Sequence, residues 1–378
     1  MSYVQSGKQS VEAILDERVV VSDGLLFITG LTAADAGTGI PQQAAVSPEF
    51  PYYGADIQKQ TTYILEKLRD LLAGSGARLE DVVKTQVFIA DCRLFDAFDQ
   101  VWKKFFPTPP PRTTVGVGEA GMPVPGTLVV VDAIAALPDE LDIRAIDSPT
   151  LPKPLANYTP CVAAGDWLFL AGQLPTEFGD TGLAPQASVN PAFPHHVSPL
   201  VAQAEFTIAI CETLLGDAGS DWQHAVRVHV FLKDMTEAPL FDALWQDKFD
   251  GNPPPYLIIG VEELLTGGAQ IEIDVIAVRT GTTQPSTRFA VVDTPVEEEW
   301  YRPFTIQKLV RAAFDGTAAD AGGDIQPLKV HVFLPSPEDI YGFGRGLPDG
   351  VAGQAAVTTS TSVGASRVAM EIVYRVDA

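Results

Sequence analysis

Short apolar blocks and amphipathic stretches alternate along the chain, with turn residues between them. The first block, at residues 19–30, reads VVVSDGLLFITG; two apolar runs joined by Asp-Gly predict a β-hairpin. Residues 58–72 place Tyr63, Ile64 and Leu68 on one face of a helix. A β-rich stretch, a second helix and two further apolar strands follow. The predicted order of elements is ββαβαββ.

The same order of elements recurs farther along the chain. A second hairpin-like block lies at residues 161–172, and the strand VRVHVFL at residues 226–232 matches VVKTQVF at residues 82–88. Each copy then passes through a triple proline and ends in an apolar strand that carries an acid, Asp132 in the first copy and Asp274 in the second. Self-similarity over a domain-length spacing indicates a tandem repeat.

A third, more degenerate copy is predicted after a linker at residues 280–286. The strand LKVHVFL at residues 328–334 matches the central strand of the other two copies, and a helical stretch at residues 306–314 precedes it. The block VAMEIVY at residues 368–374 matches the acid-bearing last strand, with Glu371 as the acid. This copy is expected to be short of its first hairpin.

At 378 residues the chain is long enough for two or three domains, and the repeats favour three. We predict α+β units at residues 1–145, 150–282 and 285–378. A sheet with helices on one face leaves its other face to be covered, and three such sheets can cover one another. We therefore expect the three units to pack as an intramolecular pseudo-trimer. Whether chains associate further into a homo-oligomer is left open.

Composition narrows the classes of partner. The chain has 48 acidic and 25 basic side chains, a net charge of −23, so its surface should repel nucleic acid and anionic lipid. We see no secretory signal and no apolar run of the roughly 20 residues that a membrane span needs. Three cysteines without CxxC spacing suit a reducing compartment. A cytoplasmic protein that binds neither nucleic acid nor membrane is expected.

Two opposite charges stand in otherwise apolar strands. Arg112 follows a proline run, and its guanidinium offers a rigid fork of donors that fits a carboxylate. Asp132 lies among Val and Ile, where it could act as a general base or anchor a water; a structural role is the alternative. Gln86, His229 and His331 share one repeat position and predict a central polar cluster. Glutamine is a poor metal ligand, so no metal is expected.

These motifs resemble the RidA/YjgF group of enamine/imine deaminases. In the first unit the resemblance rests on VVKTQVF at residues 82–88, PRTTV at residues 111–115 and VVVDAIA at residues 129–135. In the second it rests on LFLAGQ at residues 168–173 and IEIDVIA at residues 271–277. The resemblance implies repeated RidA-like (chorismate mutase-like) ββαβαββ units, no cofactor, and substrate sites in the clefts between neighbouring units.

The resemblance also implies roles for particular residues. Arg112 is expected to bind the carboxylate of a 2-imino or 2-enamino acid, and Asp132 to position or activate the water that attacks it.

Four further residues are expected to bind the substrate. Tyr158 matches the family tyrosine of the opening turn, Asp99 matches a hydrophilic position on the second helix, and Thr114 and Gly172 lie within the matching motifs. The leading hypothesis is hydrolytic deamination of a small carboxylate-bearing substrate of the 2-aminoacrylate or 2-aminomuconate type.

The copies depart from the family pattern at the arginine. The second copy has Tyr256 there, and the third has Thr358 or a neighbouring residue, so only one cleft should keep the anion-binding group. Two alternatives stay open. One is a chorismatase-like enzyme acting on a cyclic carboxylate, and the other is a non-enzymatic RidA-like protein that binds a metabolite.

Overall fold

The fold is described by a computed structural model. It covers residues 18–35, 38–153, 158–178, 182–190, 192–193, 195, 198–282, 285–297 and 301–376. Residues 1–17, which the expected first unit includes, lie outside the described residues. The described chain forms three mixed β-sheets with α-helices packed on them, so the α+β class predicted from the sequence is confirmed.

The first unit has the predicted ββαβαββ order. Its elements are β1 (Val19–Ser22), β2 (Leu25–Thr32), α1 (Asp56–Gly74), β3 (Val82–Ile89), α2 (Phe95–Phe105), β4 (Arg112–Gly116) and β5 (Val129–Ala136). Strands β1 and β2 pair through the Asp-Gly turn, where Asp23 and Gly24 both have positive φ, the backbone that such a hairpin requires. Strand β4 runs parallel to β3, and β5 runs antiparallel between β2 and β3.

The second unit repeats this arrangement. Its elements are β6 (Ile143–Ala145), β7 (Cys161–Ala164), β8 (Trp167–Leu170), α3 (Pro199–Asp217), β9 (Ala225–Leu232), α4 (Ala238–Lys248), β10 (Tyr256–Gly260), β11 (Glu263–Leu264) and β12 (Ile271–Val278). Strand β10 runs parallel to β9, as β4 runs parallel to β3. The repeated pairing shows that the two units share one fold.

The third unit keeps most of the fold. It contains β13 (Thr287–Pro295), α5 (Arg302–Ala321), β14 (Ile325–Leu334), α6 (Ile340–Gly346), α7 (Val351–Gln354), β15 (Ala356–Thr361) and β16 (Arg367–Val376). Strand β13 pairs along its whole length with β16 and forms the sheet edge. The unit therefore retains the inner strand of the expected hairpin, in the place that β2 holds beside β5.

Each sheet has a helix-facing side and an inner side. In β5, Val129, Val131 and Ala133 pack in the core with α1 and α2, whereas Val130 and Ile134 face away from these helices. Successive side chains of a strand point to opposite faces of the sheet, and in β5 both faces are buried. On the inner side, Phe88, Phe231 and Phe333 of the three units meet in one apolar cluster. The inner sides of the three sheets therefore pack against one another.

One strand pairing joins two units, and another bears on where the second unit begins. Strand β11 of the second unit pairs with β4 of the first, and β6 pairs with β7 of the second sheet. The expected boundary at residue 145 would leave β6 in the first unit, although its hydrogen bonds are with the second sheet. The unit boundaries stay predictions.

No helix in the described part of the chain is long and apolar enough to cross a membrane.

Candidate functional site

Arg112 is buried at the start of β4, on the helix-facing side of the first sheet. The carbonyl of Pro111 accepts a hydrogen bond from the Thr85 amide at 2.9 Å, so the proline run is fixed against β3. The guanidinium carbon lies 5.1 Å from the ring centre of Phe95 and 5.0 Å from that of Trp102, both on α2. Only 4% of Arg112 is exposed, so the charge is held in an aromatic wall rather than in solvent.

Asp99 is the ion-pair partner of Arg112. Its Oδ1 accepts from Nη1 of Arg112 at 2.9 Å, and its Oδ2 lies 2.7 Å from Nζ of Lys103. Burial lowers the pKa of Arg112, and the Asp99 carboxylate opposes that shift; a guanidinium nevertheless stays charged at any working pH. The single negative charge of Asp99 therefore lies against two positive charges. The remaining positive charge can attract an incoming anion.

The second unit supplies the opposite wall of this cleft. Thr159 donates from Oγ1 to the Pro109 carbonyl at 2.6 Å, and the Gly172 amide donates to the Arg112 carbonyl at 3.3 Å. Next to Thr159 is Tyr158, whose pKa is raised first by burial and then by the charge of an acid on β12, against the charge of Arg112. Segments far apart in sequence thus meet at Arg112.

That acid is Glu272, which is 2% exposed. A Cβ placed on Gly172 would lie 1.9 Å from its Oε1, so the absence of a side chain at Gly172 makes room for the carboxyl group. Burial and the nearby Asp274 raise the pKa of Glu272 to about 8, against the charges of Lys84 and Arg112. Within the described residues, Glu272 Oε2 has no hydrogen-bond partner. A neutral carboxylic acid with a free oxygen is suited to proton transfer.

Thr114 completes the set of nearby polar groups. It lies two residues after Arg112 on β4 and so on the same face, and its amide is among the influences that lower the pKa of Glu272. Its Oγ1 is buried and unpaired among the described residues. The structure therefore brings together five residues expected from the sequence: Arg112, Asp99, Thr114, Tyr158 and Gly172.

Asp132 is not part of this group. It faces the inner side of the first sheet, because its register partner Gln86 lies opposite Thr113, whereas Arg112 points to the helix side. The Gly30 amide donates to its Oδ1 at 2.7 Å, and Nδ1 of His331 lies 3.1 Å from its Oδ2. The expectation that Asp132 holds the water at the Arg112 site is therefore corrected, since the two side chains lie on opposite faces of the sheet.

The equivalent acids of the other units also belong to the inner cluster. Lys84 lies 2.7 Å from Asp274, Arg227 bridges Asp274 at 2.7 Å and Glu371 at 3.0 Å, and Lys329 lies 2.5 Å from Glu371. Burial would raise the pKa of these acids, but the cations hold the pKa of both below its ordinary value. The repeated basic position thus neutralises the repeated acidic one.

The predicted central polar cluster is present at the same place. Gln86 Nε2 lies 3.3 Å from Nδ1 of His229, and His229 Nε2 lies 3.2 Å from Glu371. Burial, followed by the charge of Arg227, lowers the pKa of His229 to about 4. Among the described residues no group of three or more acidic, histidine or cysteine side chains is arranged to hold a metal ion.

Strand register identifies the equivalents of Arg112. Arg112 is opposite Thr85 on β3, Tyr256 is opposite Val228 on β9, and Val357 is opposite Val330 on β14. The expected third position, Thr358, is therefore shifted by one residue. Thr358 instead faces the inner side beside Gly30, as Thr113 does in the first unit.

The same registers identify the equivalents of Glu272. Glu272 is opposite Phe231, Val130 is opposite Phe88, and Ala369 is opposite Phe333. Only the second unit has an acid at this position, and only the first has the arginine. Arg112 of the first unit and Glu272 of the second unit lie in the same cleft. Of the three clefts, this one therefore contains both the arginine and the acid.

Comparison with known proteins agrees with the repeat. The sequence profile described as Endoribonuclease L-PSP matches residues 15–137 and again residues 149–279, together more than half of the chain. The chain belongs to this family. The two matches confirm the tandem repeat of the family domain, and RidA/YjgF proteins are among the relatives that follow.

Individual relatives align with about a third of the chain. Mitochondrial protein mmf2 of Schizosaccharomyces pombe is 32% identical over 32% of this chain and 85% of its own length. The chloroplastic Reactive Intermediate Deaminase A of Arabidopsis thaliana is 26% identical over 32% of this chain and 57% of its own. The crystal structure of yeast Mmf1 aligns with 37% of this chain and 100% of its own at 23% identity and a TM-score of 0.30.

Proposed function

We propose that the cleft between the first and second units is the active site of a hydrolytic deaminase. Its substrate would be a small enamine or imine that carries a carboxylate. The observation that carries this proposal is the meeting of Arg112 from one unit with Glu272 from the next, with Tyr158 and Gly172 beside them. No cofactor is needed for the chemistry described below.

Substrate binding begins with the carboxylate. Arg112 is fixed by its aromatic wall and the Asp99 ion pair, so little order is lost when it binds an anion. The substrate carboxylate joins Asp99 on the guanidinium, and the charge of Lys103 offsets part of the repulsion between the two anions. The buried hydroxyl of Thr114 is available to the same ligand.

Proton transfer then falls to Glu272. With its pKa raised to about 8, it is largely protonated at neutral pH, and it can protonate C3 of an enamine to give the iminium ion, the protonated imine. The carboxylate so formed takes a proton from the water that attacks C2, which restores the acid. The carbinolamine collapses as its hydroxyl proton passes to nitrogen, and ammonia leaves. The net reaction is enamine plus water to 2-oxo acid plus ammonia.

The substrate class follows from size and charge. A buried single arginine suits a compact monocarboxylate or dicarboxylate of the 2-aminoacrylate or 2-aminomuconate type. The Arabidopsis relative is named a Reactive Intermediate Deaminase, which supports the same chemistry here. The word endoribonuclease in the family description fits this chain less well, because a net charge of −23 opposes binding of RNA. Three free thiols favour a reducing compartment such as the cytoplasm.

The test is an assay of released products. 2-Aminoacrylate would be generated in situ by a β-elimination enzyme, and the release of ammonia and pyruvate would be followed with and without the protein. We expect release faster than spontaneous hydrolysis. Pyruvate without ammonia from chorismate would instead favour a chorismatase-like reaction, and no turnover of any enamine would favour a metabolite-binding protein.

A further inference from the structure

The cleft between the second and third units contains a cavity of about 590 Å³. A volume in this range holds a small organic molecule. The cavity lies where the first cleft would lie if the molecule were rotated by one unit, because it is lined by Tyr256 and Asp242 of the second unit and by Asp293 and Arg367 of the third. These residues have no role in the deamination proposed above.

The charges of this cavity differ from those of the first cleft. Tyr256 replaces the arginine, and Asp242 on α4 occupies the helix position that Asp99 has on α2. The Tyr256 hydroxyl donates to Asp242 and accepts from Gln246 Nε2 at 3.1 Å. Burial, followed by the bond to Asp242, raises the pKa of Tyr256 to about 12. The hydroxyl is therefore neutral, and among the described residues no buried guanidinium pairs with Asp242 as Arg112 pairs with Asp99.

In the third unit the acid lies on the neighbouring strand, not on the last strand as in the second unit. Ala369 of β16 stands at the position of Glu272, and the residue directly opposite it on β13 is Asp293. Arg367 lies 2.8 Å from Asp293 Oδ2 and also donates to the Asp293 carbonyl at 3.0 Å. Burial first, and the charge of Asp242, raise the pKa of Asp293 even though Arg367 lowers it. The two carboxylates therefore repel each other across the cavity.

The remaining lining is mixed, with the Ser366 hydroxyl beside apolar side chains. Its apolar part is formed by Met235, Pro239, Ile258 and Val291. With two aspartates against one arginine, the cavity lining has a net negative charge, and it also contains apolar side chains. A ligand with an ammonium group and an apolar body would reduce the repulsion between the acids and bury its carbon skeleton.

We propose that the cleft between the second and third units is a separate binding site for small organic cations that carry a primary ammonium group. The ammonium group lies between Asp242 and Asp293, and the apolar body of the ligand packs on Met235 and Ile258. The chain then contains two clefts of one origin and opposite charge preference, one for a carboxylate and one for an amine.

The test compares amines with an acid of the same shape. Phenethylamine, 1,5-diaminopentane and phenylacetate would each be titrated into the full-length protein by isothermal calorimetry and ligand-observed NMR. We expect saturable binding of at least one amine. The variants Asp242→Asn and Asp293→Asn should each weaken it about tenfold, because each removes a charge-assisted hydrogen bond.

Matched variants in the first cleft locate the site. Asp99→Asn, which makes the same change at the equivalent position, and Arg112→Ala should leave amine binding unchanged. Thermal melts of all variants show that they fold. The proposal is overturned if neither amine binds, if amine binding persists unchanged in both Asp242→Asn and Asp293→Asn, or if phenylacetate binds in this cleft and is lost in Arg367→Gln.

Discussion

The first and second clefts are built from the same elements and differ in a few side chains. In both, the strand that follows the proline run of one unit, β4 or β10, approaches the last strand of the next unit, β12 or β16. The first cleft has Arg112, which is 4% exposed, opposite Glu272. The second has Tyr256 opposite Ala369, and its acids are Asp242 and Asp293. The two clefts therefore have equivalent backbone positions but side chains of different charge.

This difference shows what fusion of the units permits. In a symmetric trimer of identical units every cleft carries the same side chains, so an altered residue changes all sites at once. In a fused chain each cleft can change alone. The third cleft, between the third and first units, has Val357 and Val130 at the two key positions.

The largest effect is expected from removal of the guanidinium. Arg112→Ala should lower kcat/KM for an enamine acid by about a hundredfold or more, since a buried charge-assisted contact to the carboxylate is lost. Tyr256→Ala, the same change at the equivalent position, should leave deaminase kinetics unchanged. Steady-state rates of ammonia release measure both. Equal losses in the two variants would contradict the assignment of the reaction to the first cleft.

The next largest effect concerns the acid. Glu272→Gln should reduce kcat by about a hundredfold, the usual contribution of a general acid or base. In the wild type the rate should fall as the pH rises above about 8, where Glu272 loses its proton, and the variant should lack this dependence. Asp132→Asn serves as the control, because Asp132 pairs with His331 on the other side of the sheet. It should lower stability while leaving kcat nearly unchanged.

The inner cluster predicts a dependence of stability on pH. His229 has a folded-state pKa of about 4, below the value of 6.5 for an unperturbed histidine. The unfolded chain therefore binds more protons between these values, and this contribution to stability, present above pH 6.5, is lost as the pH falls toward 4. His229→Gln copies Gln86 of the first unit. As the pH falls from 6.5 to 4, the free energy of unfolding of His229→Gln should rise relative to that of the wild type by up to about 3 kcal/mol.

Glu272 acts in the opposite direction. Its raised pKa means that the folded state binds more protons between its ordinary value and about 8, so its contribution falls as the pH rises. For this reason the stability test uses the difference between variant and wild type, obtained from urea midpoints at several pH values. A constant difference for His229→Gln would show that the ring does not titrate as described.

The smallest effect is expected at Asp99. Asp99→Asn removes the carboxylate that competes with the substrate for Arg112, and it should lower KM about threefold, a change of less than about 1 kcal/mol. The matched Asp242→Asn variant should leave KM unchanged. A raised KM in Asp99→Asn would instead mean that Asp99 mainly holds the guanidinium in place.

The fold was accessible from the sequence because its signals are local. Alternating apolar positions, the Asp-Gly turn at Asp23 and the repeated central strands determine elements that the structure contains. The third copy was harder to align. Residues 356–361 read AVTTST, and several positions in such a run are equally compatible with the pattern. Only the pairing of β14 with β15 shows that Val357, and not Thr358, is the counterpart of Arg112.

The candidate site was accessible in part. Arg112, Asp99 and Thr114 lie on adjoining elements of one unit, so motif order was enough to group them. Glu272 was missed, although it is two residues from Asp274 on the same strand face. Nothing local distinguishes these acids. One reaches Gly172 and the neighbourhood of Arg112, while the other pairs with Lys84 and Arg227, and this division depends on how the two units meet.

The most direct test of the account is a crystal structure of the protein with bound pyruvate, the carboxylate product of 2-aminoacrylate. We predict its carboxylate on the Arg112 guanidinium, with C2 facing Glu272, and no pyruvate beside Tyr256 or Val357. Pyruvate bound at Arg367 in the second cleft, with Arg112 still paired only to Asp99, would contradict the claim that the first cleft is the one suited to a carboxylate.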